Sequence, residues 1–378
     1  MRNRLILVLA GIARTLPEPP SVLVKGSTSS GKSTLLKETV RLFPPDCVVE
    51  RAGLSAKALA HGFGSLANKI LLLNEYKCGK DAELLLRLLQ SDGRISHEFT
   101  TVRGASRGTQ TVERVGTPVV LTTTTDDRVF PDDETRFLSI WVDESPTQTL
   151  AIVTAQASGP RAKNEEDLPV WQTAMSLLAR KNAEFQDPPV WLRYVAENLP
   201  LDKLRVRRDW KRILNFCRAV ALCRPSTSGK EAVDITFADY CVAFRILEPA
   251  LASTVYSLRT QELNLGRAVA LLNEQLGRAV TTREIAEKLN WNDALVYKYL
   301  KPAVKNQLLK YETGTREKNV KLLWTNTDVT GGFLPSPKSV FQNNPEIGPE
   351  VRYVDPFTGK QVIMRAVPKG GDRQARSA

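Results

Sequence analysis

Residues Gly26, Ser27, Thr28, Ser29, Ser30, Gly31, Lys32, Ser33 and Thr34 form a pattern with a definite chemistry. They match G-x-x-x-x-G-K-[ST] in full. Glycines at its ends let backbone N–H groups turn inward around phosphate oxygens, and a helix starting here adds the positive end of its dipole. Lys32 can neutralise β- and γ-phosphate charge, and Ser33 can ligate Mg2+. A chance Gly/Ser loop is the alternative. The context favours phosphate, because the apolar run Ser21 to Lys25 reads as a buried strand and Thr34 to Leu42 as a helix.

Phosphate cleavage also needs a carboxylate near that loop. The apolar run Ile70 to Leu73 ends in Asn74 and Glu75. Glu75 can act as a water-activating base. Asn74 stands where an Asp is usual, so its amide oxygen reaches a Mg2+-bound water without bringing charge. The plainer reading is a core strand with an incidental polar end.

Composition bounds the rest. The chain has 378 residues, with Lys+Arg 53 against Asp+Glu 41, a formal charge of +12. The 42% apolar content supports more than one core and excludes a wholly disordered chain. Only 2 His leave little room for a haem or polyhistidine site. The 5 Cys lack C-x-x-C spacing, which argues against a zinc site or a disulfide scaffold and fits a reducing compartment. The basic balance makes a polyanion the expected partner, nucleic acid before anionic membrane. No apolar run reaches the length of a membrane-spanning helix. Met1 to Arg4 followed by LILVLAGIA imitates a signal peptide; an amphipathic helix packed on the next domain is the preferred reading. A cytoplasmic location follows from a nucleotide substrate.

Those residues need elements to hold them. Apolar strands are expected at residues 21–25, 69–75, 118–124 and 137–142, alternating with helices, which predicts a parallel sheet covered on both faces. Residues 94–103 and 109–115 alternate as strands around a turn at Gly104 to Gly108, which predicts a hairpin. Residues 145–258 carry helical periodicity. The domains expected are an N-terminal helix (1–20), an α/β core around the phosphate loop (21–145), a helical region with connecting helices (146–258), a compact module (261–325) and an extended or partly disordered tail (326–378). Within the tail, residues 351–362 suggest a hairpin around Gly359.

Taken in order, these segments resemble the AAA+ ATPases, and more narrowly the clade with a hairpin before sensor 1, typified by minichromosome maintenance helicases and related ATPases of mobile elements. The resemblance covers residues 20 to 312. It implies a P-loop core with a helical lid, ATP with Mg2+ as ligands, and Ser33 and Asn74 as metal-side residues. The Gly53 to Leu59 segment is similar to the family's segment between its two nucleotide motifs. Thr124 or Thr125, at the end of the strand after the hairpin, takes the sensor 1 place. Arg136 resembles the arginine finger that serves a neighbouring subunit, implying a homo-oligomeric ring; the alternative is a surface pair with Asp132, Asp133 or Glu134. Arg208 matches the sensor 2 position best, although its basic run also suits a solvated helix face. Arg103 and Arg107 sit near the hairpin tip, where the family contacts DNA; an exposed basic turn is the alternative.

The module at 261–325 reads as three helices and a two-stranded wing, a winged-helix pattern with a capping box at Thr281 to Glu284. Tyr297, Lys298, Lys301 and Lys305 on its third helix, with Arg316 and Lys318 on the wing, could meet DNA phosphates. A protein-binding winged helix competes with that reading. The expected function is a DNA-acting ATPase, a helicase-like motor or helicase loader. The alternative is an ATP-gated DNA-binding regulator or replication initiator with slow or no hydrolysis. A chain lacking an N-terminal domain is a third possibility.

Overall fold

The computed structural model describes residues 1–61, 64–76, 80–103, 106–126, 129–159, 167–180, 189–224, 233–255, 260–305, 308–311, 321–324 and 333–366. Its centre is a five-stranded sheet of β1 (Ser21–Lys25), β2 (Val48–Arg51), β3 (Ile70–Leu73), β6 (Val119–Thr124) and β7 (Phe137–Trp141). The order is β2-β3-β6-β1-β7, and every pairing is parallel. β2 carries less apolar character than its neighbours and was not expected. It lies at the sheet edge, where half of its surface stays wet.

The buried strands split their side chains between two cores, as the period of two requires. Val22, Val24, Ile70, Leu72, Val119, Leu121, Leu138 and Ile140 face one layer. That layer contains α1 (Arg2–Ile12), α2 (Lys32–Val40), α9 (Val206–Leu222) and α10 (Phe237–Val255). Leu23, Leu71, Leu73, Val120 and Phe137 face the other, packed on α3 (Ala56–His61) and α4 (Lys80–Asp92). Strands without polar alternation are therefore buried on both sides. The N-terminal apolar run is a helix of this core: Ile6, Leu7 and Ala10 are fully buried, and Asn3 Nδ2 donates to Trp141 O at 2.7 Å.

The helical region does not form a uniform cover. Thr254 of α10 binds the β7 backbone in both directions, donating to Ser139 O at 2.8 Å and accepting from Ser139 N at 3.0 Å. In contrast, α6 (Pro146–Ala157) buries none of its residues and α7 (Leu168–Leu178) buries only Met175. β4 (Arg94–Arg103) and β5 (Ser106–Val115) form a separate two-stranded sheet between α4 and β6. β5 starts earlier than the sequence turn suggested. Pairing continues to Arg103 opposite Ser106, because backbone hydrogen bonding carries the ladder past Gly108.

The C-terminal module comprises α11 (Thr260–Leu276), α12 (Thr282–Leu289) and α13 (Asp293–Lys305) with a sheet of β8 (Val280–Thr281), β10 (Lys321–Trp324) and β9 (Leu309–Tyr311). Its expected capping box is present. Thr281 accepts from Glu284 N at 3.3 Å, and Glu284 accepts from Thr281 N at 2.8 Å.

The tail, expected to be extended or partly disordered, is folded over its described residues 333–366. Phe333 and Val340 are fully buried, Phe341 stacks on Phe237, and Tyr240 donates to Pro335 O at 2.6 Å. The expected hairpin pairs β11 (Glu350–Val354) with β12 (Gln361–Arg365). Asp355 anchors it to Arg245 of α10. Pro and Gly density suggested a linker, but a few spaced aromatics sufficed to dock it on an aromatic cluster.

Truncating that contact by Phe341→Ala should cost about 3 kcal/mol of stability by chemical denaturation. A loss under about 1 kcal/mol would mean the segment does not belong to the core. Glu284 supplies a pH test. Arg278, then the Thr281 backbone, holds its carboxyl down to about 2 from 4.5. Its folded-state pKa is depressed, so its contribution is present above about 4.5 and fades as pH falls toward about 2. The destabilisation by Glu284→Gln, read from denaturation midpoints, should be full at neutral pH and shrink through that window. A pH-independent penalty would show that ionisation is irrelevant there.

Candidate functional site

Register places the candidate residues. Lys25 pairs with Thr124 and with Trp141, and Leu73 pairs with Thr122. Gly26, Asn74, Thr124 and Val142 therefore leave the sheet at the same carboxyl edge. Ligand sites of open parallel sheets lie at this edge.

The loop after β1 closes around Lys32. Gly31 adopts φ 86°, a left-handed conformation, and caps α2. A side chain on Gly26 would put its Cβ 2.4 Å from Val142 Cγ2, so only glycine fits against β7. Lys32 Nζ donates to Gly26 O at 2.9 Å and Ser27 O at 2.6 Å. The lysine is nearly buried, and burial lowers its pKa; Glu144 and then Glu75 act in the opposite sense. Ser33 and Thr34 are exposed on the first turn of α2.

The second candidate segment is fixed by its backbone. Asn74 N donates to Arg51 O at 3.1 Å, and Asn74 O accepts from Thr123 Oγ1 at 2.5 Å. Tyr76 N donates to Thr123 O at 2.7 Å. These bonds clamp the turn that carries Glu75 to the end of β6, between β3 and β1. Thr124 is buried and accepts from Asp126 N at 3.1 Å, whereas Thr125 is exposed. Ser33 hydroxyl, Asn74 amide and Glu75 carboxylate are all hard oxygen donors, a set that suits Mg2+ rather than a soft metal.

Two candidates lie elsewhere. Phe137 pairs with Ser21, so Arg136 precedes β7 at the opposite edge of the sheet. Arg136 Nη1 donates to Arg87 O at 3.3 Å and to Ser91 Oγ on α4. Burial lowers its pKa, with Arg208 and Arg87 adding to the effect. Asp133, one of the suggested ion-pair partners, instead binds Arg87. Glu134, another, binds the buried Lys25. Arg208 Nη1 donates to Thr135 Oγ1 at 2.5 Å, which brings it beside Arg136 rather than to the phosphate loop of its own chain.

Two residues at the carboxyl edge escaped sequence reasoning. The sequence favours Thr124 or Thr125, and Thr123 is singled out only by its hydroxyl bond to Asn74 O. Glu144 accepts from Ser27 N at 2.5 Å and from Ser27 Oγ at 3.1 Å. Its one signal is the acidic pair Asp143 and Glu144 shortly after a strand that borders the loop.

Of the candidate DNA contacts, Arg103 and Arg107 lie on paired strands beside the hairpin tip; their side chains, and Gly104 and Ala105, lie outside the described residues. Tyr297, Lys298 and Lys301 are exposed on α13, with Lys298 Nζ 5.3 Å from the Tyr299 ring centroid. Lys305 ends α13, its side chain outside the described residues, as are Arg316 and Lys318.

A family profile described as "MTBMA_p00010 P-loop domain" matches residues 4–179. No curated protein matches the sequence. Solved structures that match include a point mutant of RuvB from Thermotoga maritima, 12% identical over 86% of this chain and 90% of that one, at TM-score 0.28. The Orc1 protein of Aeropyrum pernix in complex with DNA is 14% identical over 91% and 92%, at TM-score 0.26. A second RuvB mutant from Thermotoga maritima is 12% identical over 86% and 91%, at TM-score 0.27. The parallel sheet, the complete loop motif and the profile match identify an α/β P-loop NTPase core that binds nucleotide.

Lys32→Ala should abolish nucleotide binding in titration calorimetry while leaving far-UV circular dichroism unchanged. Retained binding would move the site away from this loop.

Proposed function

We propose that this chain is an AAA+ ATPase acting on DNA as a homo-oligomer, with ATP hydrolysed at subunit interfaces. One observation carries the reading. Lys32, Glu75 and Thr124 gather at the carboxyl edge of the sheet, while Arg136 lies at the other edge of the same sheet. In this reading an arginine that precedes β7 and is bonded to α4 serves the phosphates of a neighbouring copy rather than those of its own chain. Arg208 beside it would join the same interface, in place of a sensor for its own nucleotide.

In this reading Lys32 and the loop amides hold the β- and γ-phosphates, and Glu75 takes the proton of the attacking water. Ser33 would hold Mg2+ directly and Asn74 through water, and the ion would offset charge on the phosphate oxygens. Arg136 of a second copy would stabilise the charge that develops on the transferred phosphoryl group.

The +12 charge, the basic hairpin and the exposed face of α13 support a DNA partner met through phosphates. The three helices and small sheet of the C-terminal module support a winged helix. A helicase-like motor or loader fits the hairpin and Arg136. Asn74 favours a second reading, an ATP-gated DNA-binding switch that turns over slowly, because its amide brings no charge to the metal.

Steady-state ATP hydrolysis by the purified chain, with and without single- and double-stranded DNA, tests this. DNA should stimulate turnover, and Glu75→Gln should lower turnover by about 100-fold or more because it removes the general base. Arg136→Ala and Lys32→Ala should each be inactive yet recover activity when mixed, since one supplies the loop and the other the arginine. Failure of mixing to restore turnover, with both variants folded and oligomeric, would refute the interface assignment. Tight ATP binding with flat, near-zero turnover would favour the switch over the motor.

A further inference from the structure

We propose that Glu144 is an acidic clasp on the phosphate loop that sets how tightly a nucleotide's polyphosphate is held. The proposal rests on the nucleotide reading of the Lys32 loop.

Glu144 takes both donors of Ser27. The backbone N–H meets Oε1 at 2.5 Å, and the hydroxyl meets Oε2 at 3.1 Å. The carbonyl of the same Ser27 accepts from Lys32 Nζ at 2.6 Å. One residue thus joins a carboxylate on the outer side of the loop to the ammonium within it. The fit is close: a Cβ on Gly26 would lie 3.1 Å from Glu144 Oε1. The charge is also felt at the lysine, where Glu144 acts more strongly than Glu75.

Two effects of opposite sign follow. The paired hydrogen bonds hold the first turn of the loop in the shape that offers Lys32 its carbonyls, which favours binding. The negative charge opposes the arrival of a polyanion at Lys32, which weakens binding and speeds release. Glu144 therefore supplies order and repulsion together. It also sits at a junction. Asp143 Oδ1 accepts from Ser145 N at 2.9 Å, and Ser145 caps α6 by accepting from Gln148 N at 3.2 Å. The clasp lies in the short link between β7, which ends at Trp141, and the exposed α6 that Ser145 caps.

Glu144→Gln separates the two effects, because the amide keeps the size and an acceptor for Ser27 N–H while removing the charge. Glu144→Ala removes both. Binding of Mg·ADP and Mg·ATP to the full chain would be measured by calorimetry, and release by stopped-flow. Glu144→Gln should lower Kd for Mg·ADP about tenfold, chiefly through slower dissociation. Glu144→Ala should bind more weakly than Glu144→Gln, since the loop has lost its brace. Lys32-dependent binding that Glu144→Gln leaves unchanged would overturn the clasp alone, as would equal Kd values for the Gln and Ala variants. Absence of any Lys32-dependent binding in the wild type would overturn the nucleotide reading and the clasp with it.

Discussion

A buried ammonium must find oxygen partners or lose its charge, and the carboxyl edge of this sheet is organised around that demand. Lys32 meets it with two carbonyls of its own loop, Gly26 and Ser27. The loop that presents those carbonyls packs against the residue after β7, where Val142 leaves no room for a side chain at Gly26. The strand that closes the sheet thereby shapes the loop two strands' width from Glu75. Lys32, in turn, stays near two carboxylates, Glu75 and Glu144, whose field sustains its positive form.

The second constraint is directional. Parallel strands all end at one edge, so groups that follow strands meet there and groups that precede strands meet at the other. Asn74, Glu75 and Thr124 belong to the first set, Arg136 to the second. The hydroxyl of Thr123 ties the Glu75 turn to β6, so the position of a chemical group depends on a neutral side chain of the adjacent strand. Arg208 joins Arg136 through Thr135, and Arg212 secures the same turn by donating to Thr135 O at 2.6 Å. Both edges are therefore braced, one by Thr123 and the other by Arg208 and Arg212.

The chain around the sheet is unevenly held. α9, α10 and the segment 333–366 share the core with α1, and Trp191, Phe237, Tyr240 and Phe341 form a continuous aromatic cluster among them. α6 contributes nothing to that core. Glu144 stands between the well-packed sheet and this exposed helix and bonds the loop at Ser27.

By itself the sequence determined the local features. Strict spacing from Gly26 to Thr34 marks a phosphate loop, unbroken apolar runs mark strands buried on both faces, and Thr281 with Glu284 marks a helix start. Each depends on neighbours within a few residues, so each is legible without a fold. Tertiary structure decided what depends on strand order and register. It chose Thr123 among four threonines, set Arg136 and Arg208 together at the far edge, brought Glu144 onto Ser27 across 117 residues, and folded a Pro- and Gly-rich tail onto α10. None of these contacts leaves a periodic trace, because the partners meet only after parallel strands far apart in the chain have paired.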